Sequence, residues 1–204
     1  LHHRVYLKKG VKIQTCEHVL AALVGMNLDN VSIELDAPEP PIMDGSAKYF
    51  VEAIEKVGIV EQQAERNEYI VREVISYKNE ETGSEITVIP ADEYQVTTMV
   101  DFGTKILGTQ NAYMNTLSEF KDDIASARTF SFLHELEVLL DRGLIKGGDL
   151  NNAIIYVDKE PSAETMDKLK KVFNRDNVTV KPNGVLDNIT LHYSNEAARH
   201  KLLD

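Results

Sequence analysis

The sequence predicts an α+β protein organised as two like domains that face each other. Three observations carry this. Apolar residues recur at helical spacing after residue 17 and again from residue 126, whereas several other runs alternate as half-buried strands do. A polar stretch at 61–67 (EQQAERN) has no apolar anchor and reads as a linker between two units. Finally, Leu28-Asp29-Asn30-Val31-Ser32-Ile33 has a counterpart in Leu150-Asn151-Asn152-Ala153-Ile154-Ile155. Each follows a helix and a glycine-containing turn, and each strand ends in an aspartate, Asp36 or Asp158. Two copies in the same order point to duplication and are too few for a solenoid. The predicted units are residues 1–66 and 67–204, the second carrying an insertion at about 159–191.

Composition narrows the class. A chain of 204 residues with 43% hydrophobic content can bury a substantial core. A net charge of −11 with no balancing basic stripe argues against a nucleic-acid binder. Cys16 is the only cysteine, which excludes an internal disulfide and suits a reducing compartment. No apolar run approaches the roughly 18 residues that span a membrane, and no signal peptide opens the chain. These features predict a cytoplasmic protein with no transmembrane segment.

In chain order, Val11-Lys12-Ile13 alternates like a strand end. Val19, Leu20, Leu23 and Val24 then give a helix that Gly25 ends, and residues 28–35 alternate Val31, Ile33 and Leu35 as a strand. The prolines of residues 37–43 (APEPPIM) fix φ and remove donors, which makes this a rigid extended crossover. Asp44-Gly45-Ser46 reads as a turn and cap for a second helix bearing Tyr49, Phe50, Ala53, Ile54 and Val57. Residues 69–77, 84–90 and 94–101 are three strand-like runs, predicted to form a meander with a hairpin turn at 79–83.

Residues 126–143 form the next helical segment, with Phe130, Leu133, Leu136 and Leu140 on one side. Within the insertion, a helix at 163–173 precedes strands at 178–180 and 189–193. The last helix starts near Ser194-Asn195, a fair N-cap, and runs to Asp204. With no initiator Met and a helix reaching the final residue, the chain is expected to continue beyond both ends.

The chemistry begins at Glu17-His18. Neighbours in sequence do not share a helix face, so a carboxylate and an imidazole here point in different directions around one centre. That suits a base beside a metal ligand. His200 and Asp204 are four apart and stack on one helical face, where both are good zinc ligands. The bland alternative is a surface ion pair near the C-terminus. His2-His3 is weak evidence for metal on its own. Gly147-Gly148 lacks the Lys and Ser/Thr of a phosphate loop. Lys146, Arg128, Arg199 and Lys201 offer a locally positive rim, Cys16 reads as packing, and His134 reads as a surface residue.

Five motifs in one order sharpen this reading. Residues 15–23 (TCEHVLAAL), 36–46 (DAPEPPIMDGS), Ala127-Arg128-Thr129-Phe130, Gly147-Gly148 with Asn152-Ala153-Ile154, and His200-Lys201-Leu202-Leu203-Asp204 resemble the zinc-dependent UDP-3-O-acyl-N-acetylglucosamine deacetylases of lipid A biosynthesis. The likeness runs from about residue 11 to the last residue. It implies two domains, each a small sheet packed on helices, with the active site between them. It implies His18, His200 and Asp204 as zinc ligands and Glu17 as general base. Thr129 becomes the hydroxyl that helps hold the oxyanion, and Phe130 and Lys201 become substrate contacts. The insertion corresponds to an acyl-chain passage.

The resemblance also implies that the general acid is a further histidine beyond the last ligand. Neither His192 nor His134 is assigned that role. Two imidazoles and a carboxylate would also accept Fe2+. The tail of the insertion resembles the form fused to a 3-hydroxyacyl-carrier-protein dehydratase. Two functions therefore stand: hydrolysis of the acetamide of an acylated UDP-N-acetylglucosamine, or a catalytically incomplete or binding-only module of the same fold.

Overall fold

A computed structural model of the chain describes residues 5–8, 10–141, 151–172, 174–187 and 189–204. Lys146, Gly147, Gly148 and the His2-His3 pair lie outside the described residues. Small antiparallel pairs and short helices alternate along the chain. Strands β1 (Val5–Lys8) and β2 (Val11–Gln14) form a hairpin that leads into helix α1 (Glu17–Gly25). A crossover then reaches helix α2 (Lys48–Val57). Hairpins β3 (Ile75–Lys78) with β4 (Glu85–Val88) and β5 (Val96–Asp101) with β6 (Thr109–Met114) follow. Strand β7 (Phe130–Phe132) feeds helix α3 (Leu133–Asp141) and pairs in parallel with β8 (Ile154–Tyr156). Helices α4 (Ala163–Val172) and α5 (Glu196–Leu203) complete the described elements. Mixed helix and small sheets make this an α+β fold. Among the described residues no helix is long and apolar enough to cross a membrane.

The helices follow their local signals. The crossover bends at residues 36–39 instead of running extended, since proline fixes φ and leaves ψ free, and it is pinned by Gln14 N–H donating to the Pro38 carbonyl at 2.9 Å. Asp44 Oδ1 accepts from the backbone N–H and the hydroxyl of Ser46, whose oxygen in turn accepts from Lys48 N–H at the start of α2. Gly58, at φ +80°, ends that helix. Gly25 has a tighter reason: a Cβ there would lie 2.0 Å from the buried Phe120 ring. It is the contact point of α1 with the turn at Phe120–Ile124.

The strands depart from the sequence pattern in four places. Residues 28–35 form no ladder, and Val31, Ile33 and Leu35 are exposed. Alternation selects a face, but a strand also needs a hydrogen-bonded neighbour, and none of the described residues supplies one. The expected meander is two separate hairpins, because the partner of β5 is β6 and not β4. Residues 126–129 are not helical, and Phe130 lies in β7. Its apolar neighbours satisfied a helical spacing by coincidence, since short apolar runs fit either period. Of residues 178–180 and 189–193, Val180 alone makes a bridge, an isolated one to Leu186.

One core cluster unites Ala21 and Ala22 of α1, Ala47 just before α2 and Val51 within it with Met114, Phe120, Ile124 and Leu203. Small residues on α1 let it approach α2 and α5 closely. Helix α5 lies on the β5–β6 hairpin, with Ala198 packed between Val100 and Ala112. The N-terminus of α1 and the C-terminus of α5 thus come to one place.

Candidate metal centre

His18 enters this place from the first turn of α1, where Thr15 and Cys16 set the approach. Thr15 sits at φ +53° and donates its hydroxyl to Glu39 of the crossover at 2.9 Å. His18 is 4% exposed and His200 is 2% exposed. Their rings meet edge to face with centroids 5.2 Å apart. Nε2 of His200 lies 3.6 Å from Oδ1 of Asp204, as the four-residue spacing on α5 requires. Ligand atoms of His18, His200 and Asp204 all fall within 4.8 Å of one another.

Protonation favours metal binding. Burial, then the facing charge of His200, pushes His18 down to about 4, despite nearby Glu17, Asp204 and Asp44. Burial also holds His200 below the ordinary imidazole range. Both rings are therefore neutral near pH 7, with lone pairs available. Burial alone would raise the Asp204 carboxyl, but His200 and Lys201 outweigh it and hold it below the usual carboxylate range. The His200 tautomer is set as well. Nδ1–H donates to the Ala127 carbonyl at 3.0 Å, which leaves Nε2 bare and turned toward Asp204.

Two carboxylate oxygens sharpen the fit. Oε2 of Glu17 and Oδ1 of Asp204 are buried without a hydrogen-bond partner among the described residues. A buried unpaired carboxylate oxygen is costly unless something else satisfies it. A divalent cation held by the two imidazoles and Oδ1 would satisfy Asp204. The donor set fits zinc, which takes three protein ligands of this kind and leaves a position open.

Of the remaining predicted residues, Phe130 and Lys201 contact the ligand residues. Phe130 meets His200 at 6.4 Å between rings, and the Lys201 ammonium lies 5.7 Å above the Phe130 ring. Lys201 also donates to Oδ2 of Asp204 at 2.7 Å, which leaves Oδ1 for the centre. Thr129 is half-buried two residues after Ala127. Its N–H donates to the Gly45 carbonyl and its carbonyl accepts from Ile154 N–H. Gly45, at φ +82°, packs so closely here that a Cβ would lie 2.0 Å from the Asn152 carbonyl oxygen. Gly45→Ala is expected to cost at least about 2 kcal/mol, through strain and backbone displacement, and to read as a clear fall in Tm.

Other candidates are placed elsewhere. Arg128 is not part of a positive rim, because it is buried in an ion pair with Glu196 at 2.8 Å. Burial of both partners takes this charge off the surface. Arg199 stacks 4.2 Å from the Tyr193 ring and donates to the Asp123 carbonyl. Among the described residues of that group, Lys201 is the cation that lies at the centre. His134 is exposed, stacks on Phe132 and pairs with Asp158 at 3.1 Å. His192 is partly exposed and hydrogen-bonds through Nδ1 to the Ser126 carbonyl at 3.0 Å. Cys16 is buried at the start of α1, in keeping with packing.

Two buried imidazoles and a carboxylate about one point define a candidate site for a divalent cation. Comparison with known proteins gives the chain a family. The model for "LpxC: UDP-3-O-acyl N-acetylglycosamine deacetylase" matches residues 2–171, and the chain belongs to this family. It is 42% identical over 98% of its length to the bifunctional enzyme LpxC/FabZ of Bacteroides thetaiotaomicron, and 43% identical over 97% to that of Porphyromonas gingivalis. It is 34% identical over 97% of its length to the UDP-3-O-acyl-N-acetylglucosamine deacetylase of Myxococcus xanthus. The chain spans 43% of the length of each bifunctional relative and 55% of the Myxococcus protein.

Proposed function

We propose that this protein hydrolyses the acetamide of a UDP-3-O-(3-hydroxyacyl)-N-acetylglucosamine, releasing acetate, in the cytoplasmic steps of lipid A biosynthesis. The observation that carries the reading is the meeting of His18, from α1, with His200 and Asp204, from α5, inside 4.8 Å. Those three residues would hold a zinc ion, with Fe2+ the other metal the donor set accepts. Bound there, the metal supplies a Lewis acid and lowers the pKa of a coordinated water toward roughly 7.

The chain's own residues supply the base and the oxyanion contact, while protonation of the leaving amine falls to the further histidine beyond Asp204 that the resemblance implies. Oε2 of Glu17, buried and without a partner, accepts the proton of the attacking water. The Thr129 hydroxyl donates to the oxyanion that develops on the acetamide carbonyl. Phe130 and Lys201 bind the substrate, the ring offering an apolar face and the ammonium a charge for the UDP phosphates. In this reading residues 1–66 and 67–204 are the two like domains, with the site between them. The 159–191 insertion is the acyl passage. An open groove of about 460 Å³ lies beside it, where Ile106, Val157, Pro161, Val180 and Pro182 alternate with Asp158, Lys159, Glu160 and Lys181. The bifunctional relatives support a fused dehydratase as partner.

Metal analysis and an acetate-release assay on the protein test the proposal together. The expected result is about one zinc per chain, with activity lost to a chelator and restored by Zn2+. Acetate release that survives complete metal removal would sink it. Lys201→Ala is expected to raise KM by about 10–100-fold, through loss of a charge-assisted contact, with a smaller effect on kcat. Steady-state kinetics with the UDP substrate checks this.

A further inference from the structure

We infer that the buried Arg128–Glu196 ion pair is a positioning device for the metal centre: it holds α5 in the register that presents His200 and Asp204 to His18. The inference rests on the metal-centre reading above. Glu196, His200 and Asp204 follow at four-residue intervals, so they form one ladder along a face of α5 and its C-cap, Asp204.

The first rung is Glu196, which is fully buried. Its Oε1 accepts from Arg128 N–H at 3.2 Å and from Arg128 Nε at 2.8 Å. Its Oε2 accepts from Arg128 Nη2 at 3.2 Å and from His192 N–H at 2.6 Å. Arg128 Nη2 also donates to the Thr190 carbonyl at 2.7 Å. Both charges are thus satisfied, and three chain segments meet at them. The second rung is His200, whose Nδ1–H donates to the carbonyl of Ala127, the residue before Arg128. The third is Asp204, at the centre itself.

The segment at 127–129 is therefore gripped twice by α5, one helical turn apart. A slip of one residue moves α5 by about 1.5 Å and turns it by about 100°. That would carry Nδ1 away from the Ala127 carbonyl and free the ring to present either nitrogen. A buried ion pair is weak evidence for stability, since apolar residues of similar volume commonly serve as well. What apolar residues cannot supply is a directional fork that accepts one register only.

Three variants test this: Glu196→Gln, Arg128→Lys, and the double substitution Arg128→Met with Glu196→Leu. Three quantities are read: Zn2+ and Co2+ affinity by chelator competition, the 15N shifts of the His200 ring in metal-free protein, and Tm. Glu196→Gln is expected to weaken metal binding by about 10–100-fold, as for other outer-shell partners, and to mix the His200 tautomers. The double variant is expected to regain the wild-type Tm while its metal affinity stays low. Arg128→Lys keeps the charge without the fork, and the same loss of affinity is expected.

A double variant that regains metal affinity along with Tm would reduce the pair to packing and overturn the inference. If the double variant does not fold, unchanged affinity in Arg128→Lys overturns it equally. A wild-type protein that binds no metal would defeat the proposed function instead. The His200 ring shifts of the metal-free variants would then still decide whether the pair sets the register.

Discussion

Replacing His200 with Ala is expected to abolish both metal retention and acetate release. The substitution removes one of the three converging ligands and, in the same step, the bond to the Ala127 carbonyl. The loss of metal affinity should exceed the roughly 10–100-fold typical of an outer-shell partner, because a ligand itself is gone. The Ala127 carbonyl loses its side-chain partner, at a cost of about 1–3 kcal/mol. Metal content after dialysis against a mild chelator, measured beside Tm, separates the two effects. His134→Ala is the matched control. That imidazole is exposed and paired with Asp158 away from the centre, so its removal should leave metal and activity in place. A His200→Ala protein that keeps wild-type metal content would remove the centre proposed here.

Glu17→Gln should produce the opposite combination: metal retained, activity lowered by about 10²–10⁴-fold. The amide keeps the size of the side chain but cannot take a proton from water. Because Oε2 of Glu17 is buried without a partner, the carboxylate bears a desolvation cost that the amide reduces. Tm is therefore expected to hold or rise while kcat falls and KM stays near its wild-type value. Such a trade between stability and turnover marks a residue kept for chemistry. Full activity in Glu17→Gln would assign the base elsewhere.

Helices were the legible part of the fold, and the reason is locality. The ladder of α1, the Asp44-Gly45-Ser46 turn that leads to the Ala47 N-cap of α2, and the start of α5 at Asn195 each depend on residues within a turn or two. Strands were less legible because half of each hydrogen-bond ladder lies elsewhere. Val31, Ile33 and Leu35 alternate as cleanly as Val96 to Val100 do, yet only the latter find a partner, in β6. Phe130 shows the converse: helical spacing to Leu133 and Leu136 concealed a strand that pairs with β8.

For the centre, the sequence by itself determined the pieces. It placed a carboxylate beside an imidazole at a helix start, and an imidazole and carboxylate four apart on another helix. It also supplied the family motifs in order. Only the tertiary structure decided that the two halves meet, because the small residues of α1 admit α5 to contact and the edge-to-face rings of His18 and His200 follow. It also turned Arg128 from a rim cation into a buried partner of Glu196. No local pattern could do that, since a charge's role depends on what excludes water from it, and that is a property of the packed chain.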